Sequence, residues 1–442
     1  MTRLLLVHIA KTGGTSLRRL LKSTPAIRSF DCLHNGNLLR FEGGRRIERQ
    51  PLDPHALTAY DVAVLMVRHP LDRLASCHRY FLHGGLNQRG QGPFPGDVAT
   101  QRFLQEQAPT LAACCQRLPQ VAERIPHFQP ACHWLDPLPN PLADLVITGR
   151  QERFSQDVQR LFQLLGLAAQ AVEPEHVNRS PAAADAGLDP LSIRLAERFY
   201  AADYQRFGYR HSPLPSPQLI QYWDQPDPPP PLLERMEQWH QQNPGWRYRR
   251  HDRRSAAAFI GAAYGSALKE AFLDIRLPAM QADVFRIAVL QAEGGVWIDA
   301  ATRCHQPLEA WLDRQQPLLM LRRVHQGEGK VSTGVMAASD QGHPLLVAAW
   351  QHIAAALLAR RGRKVYRDFG PGLLRDLLAE GEPLLRAGLL VVPEADLLER
   401  LAIGSSSEVL GEKRHWSQRQ QRESLYLSGG RPSASQRSND AS

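Results

Sequence analysis

The chain has 442 residues, 43% hydrophobic and 22% charged, with a formal net charge of +9. That length suits two or three domains of about 100–200 residues, each with its own core, and the composition excludes a disordered chain, a collagen-like repeat and a small disulfide scaffold. The excess positive charge suits anionic small ligands such as phosphates and nucleotides. It is scattered, without a dense basic run interleaved with aromatics, so no nucleic-acid partner is expected.

The first segment, MTRLLLVHIAK, is too short for a secretory apolar region and no small-residue cleavage site follows it. It reads as a buried strand. Leu4–Val7 and Val62–Val67 are apolar runs of the kind that form parallel strands covered on both faces. A helical pattern begins near Ser16. A third strand is expected at Leu145–Thr148, followed by a helix reaching Leu165. Strands alternating with helices imply an α/β sheet. Ser212–Pro217 alternates proline and reads as a stiff linker. A strand is expected at Gln218–Trp223, then a loop through Pro228–Pro231. The expected division is 1–211, linker 212–217, a second α/β unit over 218–427, and a disordered tail over 428–442, rich in Ser, Gly, Arg and Asn. No apolar run approaches the roughly 18–20 residues of a bilayer span. Six cysteines without a Cys-x-x-Cys pair fit a reduced, cytoplasmic protein rather than a zinc site.

Two elements of the first unit carry chemistry. After the strand ending at Ile9 comes Lys11-Thr12-Gly13-Gly14-Thr15-Ser16, then a helix. Glycines let backbone amides approach an anion, and a helix N-terminus offers unpaired N–H groups and the positive dipole end. Lys11 adds a full charge and the hydroxyls add donors. It is not a Walker A loop, because the lysine precedes the glycines. Arg68 closes the second apolar strand, at the sheet edge where α/β ligands bind. Ser76 follows eight residues on, about two helical turns, so a guanidinium and a hydroxyl can converge on one phosphate.

Together these elements resemble the sulfotransferase superfamily, in particular carbohydrate sulfotransferases that begin His-x-x-Lys-Thr-Gly-Gly-Thr-Ser. Here the match is His8-Ile9-Ala10-Lys11-Thr12-Gly13-Gly14-Thr15-Ser16, with Ala10 where that family often has Pro. The likeness continues through Gly149–Phe154, His176–Ser180 and Ala202–Tyr209 and covers about residues 3–210. It implies a P-loop-like parallel sheet and 3′-phosphoadenosine 5′-phosphosulfate (PAPS) as donor. The loop Lys11–Ser16 would hold the 5′-phosphosulfate, with Lys11 near the bridging oxygen. Arg68 and Ser76 would hold the 3′-phosphate. Sulfuryl transfer also needs a base for the acceptor hydroxyl. The candidates are His34, His127 and His133, with Glu42 and Glu106 behind them, and His127 and His133 lead because they flank Phe128–Cys132 before the third strand.

The second unit holds Asp283 and Arg286 three residues apart on one helix face, a helix end at Gly294-Gly295, a strand Val296–Ile298, and Asp299 at its end. This resembles metal-dependent glycosyltransferases of the capsular-polysaccharide and mannosyltransferase-like kind, with an Asp-x-Asp type element, over about 217–418. The resemblance implies a GT-A-like α/β domain that takes a nucleotide sugar, with Asp283, Arg286 and Gly295 at the donor, and Asp299 at the sugar or at Mn²⁺ or Mg²⁺. Ala301 stands where many relatives carry a second carboxylate, which weakens the metal assignment. His415-Trp416 either completes that site or packs as a C-terminal segment.

The resulting expectation is a bifunctional carbohydrate enzyme with a glycan or glycolipid acceptor, cytoplasmic and compatible with contact at the inner membrane face. Its rivals are a sulfotransferase whose C-terminal domain only binds glycan, and a P-loop kinase-like nucleotide enzyme.

Overall fold

The computed structural model describes residues 3–85, 94–167, 188–325, 328–404, 419 and 421–428. His176–Ser180, His415-Trp416 and the terminal segment from 429 lie outside the described residues. The chain forms two compact units, Met1–Ser212 and Pro213–Ser442.

The first unit is built on six strands: β1 (Leu4–Val7), β2 (Ser29–His34), β3 (Asn37–Glu42), β4 (Arg45–Pro51), β5 (Val62–Val67) and β6 (Val146–Arg150). Their order is β4-β3-β2-β1-β5-β6. β1 lies parallel to both β2 and β5, and β5 parallel to β6. Both faces of β1 are buried, as its unbroken apolar run requires. Leu4 and Leu6 pack with Leu17, Leu21 and Phe162; Leu5 and Val7 pack with Leu135 and Leu142. From β1 the chain runs first to β2 on one side and later to β5 on the other. The carboxyl ends of β1 and β5 are therefore the switch point where open α/β sheets bind ligands.

The meander β2-β3-β4 is antiparallel and has no counterpart in the sequence reading. It turns twice through two residues, Asn35-Gly36 and Gly43-Gly44, all four with positive φ. That is the conformation a tight hairpin needs. β4 is exposed along its whole length and charged, as a protected sheet edge should be. Three expected boundaries shift. The first helix is Gly14–Ser23, so Gly14 belongs to its first turn. The expected strand at Leu145–Thr148 is Val146–Arg150. Pro230 and Pro231, expected in a loop, open the helix Pro230–Gln242, since proline's fixed φ and missing N–H suit a first turn.

The second unit contains β7 (Gln218–Tyr222), β8 (Arg247–His251), β9 (Gly295–Ile298), β10 (Arg303–Cys304), β11 (Leu318–His325), β12 (Glu328–Ala338), β13 (Leu389–Pro393) and β14 (Leu401–Ala402). Six form a sheet in the order β13-β11-β12-β9-β7-β8, and β10 pairs with β14. β7 is parallel to β8 and β9, while β12 runs antiparallel to β9 and β11. The helix Pro278–Glu293 buries Val284, Phe285 and Leu290 against Trp297 and Met336 on one face of the sheet. Trp239, Trp246, Ile298 and Val335 fill the other face. Both units are thus α/β. Among the described residues no helix is long and apolar enough to cross a membrane.

Candidate functional sites

At the end of β1 the chain enters the loop with Lys11 at φ 64°, a left-handed conformation rare for a residue with a Cβ. Thr12 fixes the turn by donating to the Ile9 carbonyl at 2.9 Å. Gly13, at φ 90°, caps the helix Gly14–Ser23, whose first turn holds no acidic residue and so leaves its positive end open to an anion. Gly14 has no room for a side chain: a Cβ there would run into the His8 ring. The Lys11 ammonium lies 4.2 Å from the centre of the Tyr80 ring.

Arg68 leaves the neighbouring strand β5, and Ser76 is buried on the helix Pro70–Leu82. Lys11 and Arg68 both lie near enough to Cys77, the residue after Ser76, to act on its thiol, although burial outweighs them and pushes that thiol up. The loop and Arg68 thus follow the carboxyl ends of the adjacent parallel strands β1 and β5, and Ser76 lies on the helix after Arg68. His69, the residue after Arg68, is backed by Glu152, which accepts the His69 amide at 2.5 Å and the Tyr209 hydroxyl at 3.3 Å.

The expected bases separate clearly. His34 ends β2, and its Nδ1 lies 2.5 Å from that of His8, whose Nε2 meets Thr15 Oγ1 at 3.3 Å. His127 sits in a short turn whose carbonyl accepts from Arg73 at 3.1 Å, and its ring packs on Phe81 at 5.0 Å between centres. Burial, then His34, Arg18 and His127 in turn, lowers His8 well below the usual imidazole range. Burial, then Arg18 and His127, lowers His34 to about 4. Burial lowers His127, with Arg73 and Lys11 adding to it against Asp97. His8, His34 and His127 thus form one electrostatic cluster that reaches Lys11. His133 is exposed and bound to Asp136 at 2.9 Å. Glu42 pairs across from Ser29, at the other end of the β2–β3 ladder from His34, and Glu106 is an exposed partner of Arg102. The structure brings neither of these carboxylates to the loop. His8 opens the motif but received no role from the sequence, and Arg18 and Arg73 received none either, because nothing local marks a residue that acts on another through the fold.

In the second unit Arg286 is the centre of the constellation. It donates to Asp283 Oδ1 at 2.5 Å, Thr333 Oγ1 at 2.5 Å and Asp299 Oδ1 at 2.7 Å, and stacks 4.9 Å from the Trp297 ring centre. Trp297 Nε1 also donates to Asp299 Oδ1 at 2.8 Å. Arg286 is 4% exposed and Asp299 39%, so the guanidinium is a buried support and the second carboxylate its accessible end. Burial raises Asp283 to about 6, opposed by Arg286 and assisted by Asp299. Gly370 lets the backbone approach this group, since a Cβ there would lie 2.6 Å from Asp283 Oδ2. Gly295 is not part of the cluster. It starts β9 whereas Asp299 follows its end, and its missing side chain admits Gln218.

The residues do not fit a divalent ion held by the protein. One oxygen of Asp283 and one of Asp299 are spent on Arg286, residue 301 is alanine, and no group of three or more His, Cys, Asp or Glu among the described residues could hold a metal. A hard cation prefers about six oxygen ligands.

A sheet switch point with a glycine loop, a helix N-terminus, and Lys11 and Arg68 at neighbouring strand ends suits an anion, and buried imidazoles lie beside it. Residues 2–210 match the model of the "Sulfotransferase family". Residues 271–355 match that of "Capsular polysaccharide synthesis protein". Among solved structures, "PaToxG Glycosyltransferase" is similar at 11% identity and TM-score 0.28, covering 52% of this chain and 95% of that one. A glycosyltransferase involved in the glycosylation of the major capsid of PBCV-1 is similar at 12% identity and TM-score 0.23, covering 40% and 81%. No curated protein matches the chain. The N-terminal region is thus similar to sulfotransferases and the C-terminal region to capsular polysaccharide synthesis proteins, which supports a carbohydrate-modifying transferase.

Proposed function

We propose that the first unit transfers a sulfuryl group from PAPS to a hydroxyl of a glycan or glycolipid, and that the second takes a nucleotide sugar in the assembly of the same carbohydrate. The observation that carries the first part is the placement of the Lys11–Ser16 loop and Arg68 at the carboxyl ends of adjacent parallel strands, with the His8–His34–His127 cluster nearby. The loop amides and Lys11 suit the phosphosulfate, and Arg68 with Ser76 suits the 3′-phosphate. In the transfer, the acceptor oxygen forms a bond to sulfur while the bond from sulfur to the phosphate oxygen breaks. Lys11 stabilises the charge that grows on the departing phosphate. The acceptor proton passes to His127. Its imidazole is kept neutral by burial and has no hydrogen-bond partner among the described residues, whereas His34 is engaged with His8. In the second unit Asp299, oriented by Arg286 and Trp297, is suited to accept hydroxyls of the donor sugar; no step there is assigned to a metal.

Calorimetric titration of the full chain with adenosine 3′,5′-bisphosphate tests the reading. Binding without metal, weakened by Arg68→Ala, is the expected result. Binding of ATP with Mg²⁺ in preference to the bisphosphate would establish the kinase-like rival instead. Transfer or hydrolysis of a nucleotide sugar that is lost in Asp299→Ala separates a catalytic second unit from a glycan-binding one.

A further inference from the structure

A cavity of about 440 Å³ opens beside the histidine cluster, within the size range of small-ligand sites. Leu33, Leu52, Trp134 and Pro137 form its apolar wall, and His127 and His133 are the imidazoles that face it. The Asn35-Gly36 turn closes it on the meander side. Leu33 and Asn35 flank His34, so the cavity runs along the same strand end that carries the His8–His34 pair. His127 both lines the cavity and lies in the field of Lys11. The cavity therefore adjoins the place where the sulfuryl group would be delivered.

Its walls are chemically unequal to a bare sugar. A glycan ring carries several hydroxyls, and each one buried without a partner costs more than it gains. Here the polar groups are few. They are His127, His133 and the Asn35-Gly36 turn, and the rest of the wall is largely hydrocarbon. A glycoside with an apolar aglycone suits such a wall. Its hydrocarbon would fill the cavity against Leu33, Leu52, Trp134 and Pro137, and its sugar would remain toward His127.

We propose that this cavity is the aglycone subsite of the sulfuryl acceptor, selecting amphipathic glycosides of the glycolipid kind over free sugars. The proposal rests on the sulfuryl-transfer reading of the first unit. It is held in place from behind. Asp203 accepts the amides of Ala131 and Cys132 at 2.7 and 2.8 Å, Tyr200 donates to the Phe128 carbonyl at 2.7 Å, and Arg73 holds the carbonyls of His127 and Gln129. The wall from Pro126 to Pro137 is thus a fixed surface, suited to discriminate chain length.

The test is titration of the full chain with methyl, butyl, hexyl and octyl β-glucosides below their micelle concentrations, in the presence and absence of adenosine 3′,5′-bisphosphate. The expected result is a dissociation constant falling about threefold to fourfold per added methylene until the cavity is full, with the slope lost in both Leu52→Glu and Trp134→Ala while bisphosphate affinity is retained. Retained bisphosphate affinity also shows that the variants fold. The wild-type series decides the matter even if a variant does not. A flat series, or a slope unchanged in both folded variants, overturns the subsite. A steep series with no bisphosphate binding overturns the donor assignment and, with it, the acceptor role of the cavity.

Discussion

The Nδ1 atoms of His8 and His34 lie 2.5 Å apart, so one donates the single proton between them and the other accepts. Burial, the neighbouring ring and Arg18 all oppose making either imidazole positive. The pair therefore stays neutral into acid solution. The sign follows from linkage. His34 titrates at about 4 in the folded protein against its ordinary 6.5, so between those values the unfolded chain binds the extra proton. The stability contributed is complete above pH 6.5 and is lost as pH falls toward 4. At pH 5 the penalty approaches about 2 kcal/mol for a fully shifted group. His34→Asn removes that proton-binding difference. Calorimetric melting at pH 7 and pH 5 should show a smaller loss on acidification in the variant than in the parent; equal losses would mean that the ring titrates normally.

Arg68 closes β5 next to the loop that follows β1, and the demand on it is geometric as well as electrostatic. A guanidinium can meet a phosphate through two parallel hydrogen bonds, whereas an ammonium is a point charge. Arg68→Lys should weaken adenosine 3′,5′-bisphosphate binding about tenfold and Arg68→Ala about a hundredfold, or roughly 1.4 and 2.7 kcal/mol. Titration calorimetry reads both. Lys11→Ala should differ in kind, lowering turnover far more than nucleotide affinity, because its charge is needed most as the phosphate departs. If Lys and Ala at position 68 behave alike, the residue acts by packing and the phosphate lies elsewhere.

The parallel strands β1 and β5 and the glycine loop were legible because each is a local signal: an apolar run, then residues whose backbone can reach an anion. The meander was legible in part and went unread. Asn35-Gly36 and Gly43-Gly44 are strong two-residue hairpin signals, but β4, Arg45–Pro51, is mostly charged and carries no apolar alternation to mark it as a strand. The base could not be chosen from sequence, because His34 and His127 meet only through tertiary packing. What divides them from His133 is burial and the company of Arg18 and Lys11, neither of which is a property of neighbouring residues in the chain. In the second unit Asp283, Arg286 and Asp299 were readable as a group from their spacing. That Arg286 is the buried hub and Asp299 the accessible end depends on Thr333 and Trp297, which come from β12 and β9.

Asp203 is 2% exposed and both of its oxygens accept backbone amides from the segment that walls the cavity. Asp203→Ala leaves those amides without partners, which should cost about 2–4 kcal/mol in urea unfolding. Asp203→Asn can satisfy only one amide as an acceptor and should fall between the two. In the folded fraction of Asp203→Asn, bisphosphate affinity should hold while acceptor KM rises, since the displaced segment carries His127, His133 and Trp134. A parallel loss of nucleotide affinity would show that the segment supports the phosphate loop instead.

Arg286 and Asp299 should respond oppositely to substitution. Arg286 is buried and neutralises Asp283, whose carboxyl is already raised to about 6 by burial. Arg286→Met leaves that carboxyl unpaired and should destabilise the second unit by about 3–5 kcal/mol, with Asp283 driven further upward. Asp283→Asn in the same background removes the stranded charge and should recover much of the loss. Asp299 is 39% exposed at the far end of the same guanidinium, so Asp299→Asn should cost about 1 kcal/mol or less yet abolish any sugar transfer. Urea unfolding of the three variants, combined with nucleotide-sugar turnover, separates support from contact. An Asp299→Asn protein that unfolds like Arg286→Met would make the carboxylate structural, and the sugar-binding role assigned to it would have to move.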